Sequence, residues 1–314
     1  MPELPEVEGL AVSLGERLAD RVVADVALAS FSALKTVDVL PQSLHGRPVD
    51  GVRRYGKLLD VVVDGTHVVV HLMRAGWVQW HEQVPRTRLR PGGKSPVALR
   101  VTLDDGSGFD LTEAGTRKGL SVWMTDDLTT VEQLTSLGPD AVSLRPPLES
   151  PPLVAVDTAT GEVGVTASTT AEERHLFWAG VLADRRTQVK RVLRDQSVVS
   201  GIGNGWSDEV LHTARLSPFA LGASLGADEV GRLAEAVHGV LVAATERAVG
   251  SAPEELKDGK RGGMAVHGRT GEACPVCGDV VREVTYADSS LQYCATCQTG
   301  GQVLADRSTS RFVK

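Results

Sequence analysis

The sequence predicts an α+β protein. Three observations carry this: short apolar segments broken by Asp-Gly turns up to about residue 145, helical periodicity from 170 to 250, and four cysteines in two CxxC pairs near the C-terminus. At 314 residues the chain is long enough for two or more units, each burying its own core.

Residues 5–18 place Val7, Leu10, Ala11, Leu14 and Leu18 at helical spacing, so one face packs on a core. Leu58–Val63, the Asp64-Gly65 turn and Val68–Leu72 predict a hairpin; Leu99–Leu103, Asp105-Gly106 and the strand through Trp123 predict another. Residues 1–145 therefore read as a β-sandwich with a flanking helix. Pro146, Pro147, Pro151 and Pro152 mark 146–169 as a linker. Helical patterns over Glu172–Ala183, Gln188–Arg194, Trp206–Ala214 and Asp228–Ala248 fill a helical domain at 170–255. A Gly-, Lys- and Asp-containing stretch, Leu256–Gly263, then opens a small C-terminal unit at 256–314.

Cys274-x2-Cys277 and Cys294-x2-Cys297 stand sixteen residues apart and are all the cysteines of the chain. Two such pairs read as a four-thiolate site for one structural zinc ion on a ribbon. Two disulfides or a redox CxxC would use the same residues, but neither a signal peptide nor a thioredoxin-like unit accompanies them. No apolar stretch is long enough to span a membrane, so a cytoplasmic protein with no membrane partner is expected. The net charge of −7 disfavours long-range attraction to phosphate, which leaves local clusters to decide. Arg86, Arg88, Arg90 and Lys94 form one such cluster; Arg185, Arg186, Lys190, Arg191 and Arg194 form another.

The terminus Met1-Pro2-Glu3-Leu4-Pro5-Glu6 is the most unusual segment. Removal of Met1 would leave Pro2 with a secondary amine that titrates near ~8, far more nucleophilic at neutral pH than a lysine near ~10.4. Glu3 beside it could move protons to and from a leaving group. The bland alternative is a helix start, since Pro5 and acidic residues both suit a first turn. Gly201-Ile202-Gly203-Asn204-Gly205-Trp206 follows the basic segment and could bring backbone amides close to an anion. Lys57, after Arg53-Arg54-Tyr55-Gly56, opens an apolar strand.

In this order, Pro2-Glu3, Gly56-Lys57, Asp195-Gln196 leading to Gly201-Ile202-Gly203-Asn204, and the CxxC…CxxC-Gln298 terminus resemble formamidopyrimidine-DNA glycosylases and endonuclease VIII proteins. The resemblance spans the whole chain. It implies a helix-two-turn-helix domain at 170–255, a zinc-ribbon finger at 256–314 and a DNA groove between two lobes. It also implies excision of oxidised bases from damaged DNA followed by cleavage of the abasic site. Pro2 is then the Schiff-base nucleophile, Glu3 the proton carrier, Lys57 a phosphate and proton-transfer residue, and Glu6 a support. Lys190, Asn204, Arg74, Arg117, Lys118 and Arg269 are the expected DNA contacts. A monomer without a small-molecule cofactor, associated with a bacterial nucleoid, follows from the same resemblance.

The chain also departs from the family pattern. His71-Leu72-Met73-Arg74-Ala75-Gly76 places Arg74 where the family has a void-filling methionine, with Met73 adjacent. Thr116 and Lys118 stand where an arginine and a phenylalanine are expected, although a shift by one residue would give Arg117 the arginine's role. Ser289 replaces the phosphate-clamping arginine of the zinc hairpin, with Arg269 or Arg282 as candidate substitutes. The short stretch before His267 leaves no room for the loop that caps oxidised purines. These departures point away from 8-oxoguanine, and they keep a noncatalytic or lyase-only abasic-site binder as a rival. A zinc-ribbon transcription or assembly module is a second rival, which leaves Pro2-Glu3 unexplained.

Overall fold

The computed structural model describes residues 1–90, 95–116, 118–150, 153–156, 163–165, 169–287 and 289–305. The chain divides into two compact units. One comprises Met1–Leu137, Pro147–Thr166 and Thr245–Gly259; the other comprises Gly138–Pro146, Ala167–Ala244 and Lys260–Lys314.

The first unit opens with α1 (Leu4–Leu18), whose Leu4, Val7, Leu10, Leu14 and Leu18 are buried at the predicted spacing. Eight strands follow: β1 (Val23–Leu28), β2 (Val49–Tyr55), β3 (Leu58–Val63), β4 (Thr66–His71), β5 (Gly76–His81), β6 (Val97–Leu103), β7 (Gly108–Glu113) and β8 (Ser121–Thr125). They form two antiparallel four-stranded sheets, β1-β6-β7-β5 and β2-β3-β4-β8. One apolar core joins them: Val61, Val63, Val68, Val70 and Val122 from one sheet meet Val26, Leu99, Leu103, Phe109 and Leu111 from the other. The sandwich and its flanking helix are thus present.

The first expected hairpin is β3–β4, in register from Leu58↔His71 to Val63↔Thr66. The second differs. β6 pairs with β7, while the strand through Trp123 is β8, which pairs with β4 in the other sheet. The turn at Asp105-Gly106 is where it was expected, but the strand after it is Gly108–Glu113, because strand order depends on which faces must be buried together. β3 is buried on both sides because its outer face carries a second cluster: Leu58 packs with Tyr55, Val69, Trp123, Val131 and Leu134, the last from the short helix α2 (Glu132–Thr135). The proline-rich stretch expected as a linker contains an antiparallel pair, β9 (Val154–Val156) with β10 (Val163–Val165).

The second unit carries α3 (Ala171–Leu182), α4 (Val189–Arg194), α5 (Asn204–Thr213) and α6 (Ala227–Ala248) as far as Ala244. α3 begins with Thr170 and Glu173 in a reciprocal capping box, which fixes its start. The end of α6 belongs to the first unit, where a Cβ on Gly9 would stand 2.8 Å from the Ala248 carbonyl oxygen. The Gly-, Lys- and Asp-containing stretch from Leu256 lies mostly in a helix, α7 (Pro253–Gly262). Its start is held by Trp77 Nε1 donating to Pro253 O (2.8 Å) and Trp80 N donating to Glu254 Oε1 (3.2 Å). The ribbon is β11 (Val281–Thr285) antiparallel to β12 (Ser290–Cys294), closed by α8 (Ala295–Thr299). Among the described residues no helix is long and apolar enough to cross a membrane.

Candidate active site and nucleic-acid interface

At the N-terminus, Pro2 is buried and Glu3 caps α1 in an extended conformation, so the helix starts one residue beyond the dipeptide. Glu6 Oε2 accepts the Glu3 N–H at 2.7 Å, which satisfies one of the amides a helix start leaves open. Both carboxylates are 3% exposed, so the terminal dipeptide sits in a poorly hydrated setting. Glu6 therefore orients Glu3 through the backbone.

Lys57 lies at the β2–β3 turn, 8% exposed. Gly56 before it has φ 56°, a left-handed conformation that glycine adopts without strain. Arg54 holds this turn: Nη1 donates to Gly56 O at 2.9 Å, while Nε donates to Glu8 Oε2. Glu8 Oε1 also accepts the Leu153 N–H at 3.2 Å. The Glu8–Arg54 pair thus ties α1, which carries Pro2 and Glu3 at its start, to the turn that carries Lys57. Across the β3–β4 ladder, opposite Leu58, His71 is pushed down to about 4 by burial and by the positive charge of Lys57. It is neutral at physiological pH, and its Nδ1 touches Met73 Sδ.

The expected wedge residues are only partly placed. Arg74 is exposed in the turn after β4. Lys118 is exposed, with Nζ donating to Glu113 O. Arg117 lies outside the described residues. Glu113, 4% exposed, accepts the Gly119 (2.7 Å) and Leu120 (3.0 Å) amides and so fixes the end of this loop.

In the second unit, α4 and α5 meet through Lys190. It is 5% exposed, and Nζ donates to Asp208 Oδ1 (2.5 Å), Ser207 Oγ (3.0 Å) and Asn204 O (3.2 Å). Expected at a phosphate, Lys190 instead spends its three N–H bonds inside the protein, because a buried ammonium is stable only when fully paired. Asp208 Oδ2 meets His267 Nδ1 at 2.8 Å and accepts the Gln292 N–H at 3.2 Å. Glu209 accepts the amides of Ala265, Val266 and His267 at 2.7, 3.0 and 2.8 Å. The Asp-Glu step of α5 therefore anchors the ribbon. Asn204 Nδ2 donates to Ser290 O at 2.8 Å, and its Oδ1 is buried with no partner among the described residues. Arg269 is drawn to Glu272 (2.7 Å) and Met264 O (3.2 Å).

The sulfurs of Cys274, Cys277, Cys294 and Cys297 lie within 4.8 Å of one another. Cys277 and Cys294 are 3.3 Å apart, Cys274 and Cys297 3.9 Å. A tetrahedral zinc with bonds of about 2.3 Å needs sulfurs roughly 3.8 Å apart, so the four residues fit that ion. Burial pushes the Cys294 thiol up to about 11, so thiolates packed together here call for a cation. His212 Nε2 stands 3.3 Å from Cys274 Sγ, at the last turn of α5. Gln298 accepts the Cys294 N–H (2.9 Å) and donates to Leu216 O (2.9 Å), which pins the ribbon to its helical neighbour.

The roles of Glu8, Arg54, Asp208, Glu209 and His212 were not read from the sequence. Only Asp208-Glu209, a charged pair in an apolar helix, carried a local signal.

Residues 1–120 match the sequence profile of the formamidopyrimidine-DNA glycosylase N-terminal domain, and residues 164–254 that of its H2TH domain. A formamidopyrimidine-DNA glycosylase of Mycolicibacterium gilvum is 30% identical over 310 residues, covering 95% of this chain and 98% of that protein. An uncharacterized formamidopyrimidine-DNA glycosylase-like protein of Mycobacterium tuberculosis is 53% identical over 136 residues, 43% of this chain and 86% of its own length. Among solved structures, Lactococcus lactis Fpg in complex with abasic-site DNA has the same fold, with TM-score 0.74 and 21% identity over 95% of this chain and 99% of that one.

Proposed function

This chain belongs to the formamidopyrimidine-DNA glycosylase family, and we propose that it is a DNA glycosylase and abasic-site lyase acting through Pro2. The observation that carries this reading is the buried Pro2-Glu3 start, tied by Glu8–Arg54 to the turn bearing Lys57. After removal of Met1, the Pro2 amine attacks C1′ of a flipped damaged nucleoside. Flipping costs a few kcal/mol, least where pairing is already weak.

The N-glycosidic bond breaks as the N–C1′ bond forms, and the base leaves with the proton that the Pro2 nitrogen gives up. The sugar ring opens when Glu3 protonates O4′, giving an iminium at C1′. That cation acidifies C2′; loss of a C2′ proton forms a C2′=C3′ double bond as the C3′–O bond breaks and the 3′ phosphate leaves with its electron pair. Glu3, buried beside Pro2, is placed to give and take these protons. Lys57 neutralises a phosphate beside the reacting sugar, and the neutral His71 adds no competing charge there. Zinc at the four cysteines would hold the ribbon in shape, leaving the chemistry to the amine and carboxylates.

Acting on chromosomal DNA, the protein would work as a monomer at the nucleoid. Thr116, Lys118 and Arg74 offer no aromatic or thioether wedge, and α7 leaves only a few residues before His267. The preferred substrates are therefore abasic sites and oxidised pyrimidines, with 8-oxoguanine opposite cytosine disfavoured.

Borohydride trapping on abasic DNA tests the reading. The native protein should form a stable adduct, and a noncleavable N-terminal extension should abolish it. Equal trapping by the extended protein would refute Pro2 as nucleophile.

A further inference from the structure

We propose that Arg191 and Arg194 of α4 supply the DNA-phosphate contact that Ser289 cannot make, in a cavity of about 620 Å³ within the second unit. The cavity is lined by Lys190, Arg191, Arg194, Asn204, Tyr286 and Ser289, among others. The inference rests on the proposed action on DNA and names the cations that would hold its backbone.

The candidates for charge in this cavity can be eliminated in turn. Lys190 gives its three N–H bonds to Asp208, Ser207 and the Asn204 carbonyl. Asn204 is neutral, and Nδ2 already donates to Ser290 O. Ser289 carries no charge. The two substitutes expected from sequence are occupied elsewhere: Arg269 by Glu272 and Met264 O, Arg282 by Asp279 and Val280 O, and neither lines the cavity. Arg191 and Arg194 remain. Both are exposed, and neither guanidinium makes a hydrogen bond or ion pair with any of the described residues.

They stand three residues apart on one helix, so their side chains leave the same face and can reach one phosphate or two successive ones. A guanidinium fork matches phosphate oxygens in a bidentate way that serine cannot. Asp195 also lines the cavity, but its Oδ1 accepts both Ser197 N (3.1 Å) and Ser197 Oγ (2.6 Å), which occupies that oxygen with the following turn. The phosphate clamp has thus moved from the zinc hairpin to the helix that faces it across the cavity.

The test is anisotropy titration of a duplex bearing a tetrahydrofuran abasic analogue, from low to high salt. Arg191→Ala and Arg194→Ala should each weaken binding, and each should reduce the slope of log K against log salt by about 0.9. The double variant should lose about 1.8, and Ser289→Arg in that background should recover part of it. Arg247→Ala, an exposed arginine outside the cavity, controls for net charge. Circular dichroism and zinc content confirm that each variant is folded. Unchanged affinity and slope in the folded double variant would overturn the proposal while the wild-type protein still binds and traps abasic DNA. A loss confined to Arg269→Ala or Arg282→Ala would overturn it equally. Failure of the wild-type protein to bind the duplex at all would remove the functional reading, and this inference with it.

Discussion

Glu8 and Arg54 form a buried ion pair, their side chains 4% and 3% exposed, between the helix that Glu3 caps and the turn that presents Lys57. Arg54 also donates to Gly56 O (2.9 Å), so one guanidinium fixes both the helix position and the turn conformation. Breaking such a pair leaves an uncompensated buried charge.

Arg54→Met should therefore cost about 3–5 kcal/mol of stability. It should also slow borohydride trapping beyond what the loss of folded protein explains, because Lys57 loses its fixed turn. Arg54→Lys should recover part of the stability but little of the trapping, since an ammonium cannot span Glu8 and the Gly56 carbonyl as a fork does. Denaturant melts and trapping rates on the folded fraction measure the two effects separately. Equal trapping rates would confine Arg54 to a structural role.

Lys190→Met should destabilise the second unit by a similar amount, about 3–5 kcal/mol, because the buried Asp208 carboxylate would lose its ammonium partner. The change should appear as loss of cooperativity in a thermal melt. A simple weakening of DNA affinity with unchanged stability would show instead that Lys190 faces phosphate.

His212→Ala should loosen zinc by roughly 10–100-fold, the usual effect of removing a group that hydrogen-bonds a metal ligand. The bond concerned is His212 Nε2 to Cys274 Sγ at 3.3 Å. His212→Gln should restore part of it. Competition with a chromogenic chelator at fixed pH gives the number, and equal zinc affinity in all three proteins would dismiss the contact.

His71 gives the fold a definite pH response. Its folded value, about 4, lies below the ordinary 6.5, first through burial and then through the Lys57 charge. The unfolded chain therefore takes up a proton that the folded chain refuses as pH falls from 6.5 to 4. This part of the stability is complete above 6.5 and is lost through that window. Asp60, whose carboxyl burial raises, contributes the opposite slope at the acid end, so the informative quantity is the difference between wild type and His71→Gln. That difference should be flat above pH 6.5 and change below it.

Much of the fold was legible because it depends on local pattern. The apolar spacing of α1, the Asp64-Gly65 hairpin and the four main helices of the second unit all appear within a few residues of their expected bounds. The partner of β6 was not legible, since Trp123 and Phe109 are equally strand-like and only burial against the opposite sheet separates them. Of the expected site, Pro2, Glu3 and Lys57 stand out as unusual residues in unusual places. Their supports do not. Glu8 and Arg54 are far apart in sequence, and Lys190 looks like any surface cation until Asp208 is folded beneath it. Arg191 and Arg194 were visible as a basic run, but which of its members pointed outward was decided by tertiary pairing.

Catalysis through Pro2 requires its amine to form the covalent link to DNA. Mass spectrometry of the proteolysed borohydride adduct addresses it most directly. A deoxyribose-derived mass is expected on the N-terminal peptide that begins at Pro2, with Met1 absent. The same mass on the peptide containing Lys57, or no adduct from folded, zinc-loaded protein, would contradict it.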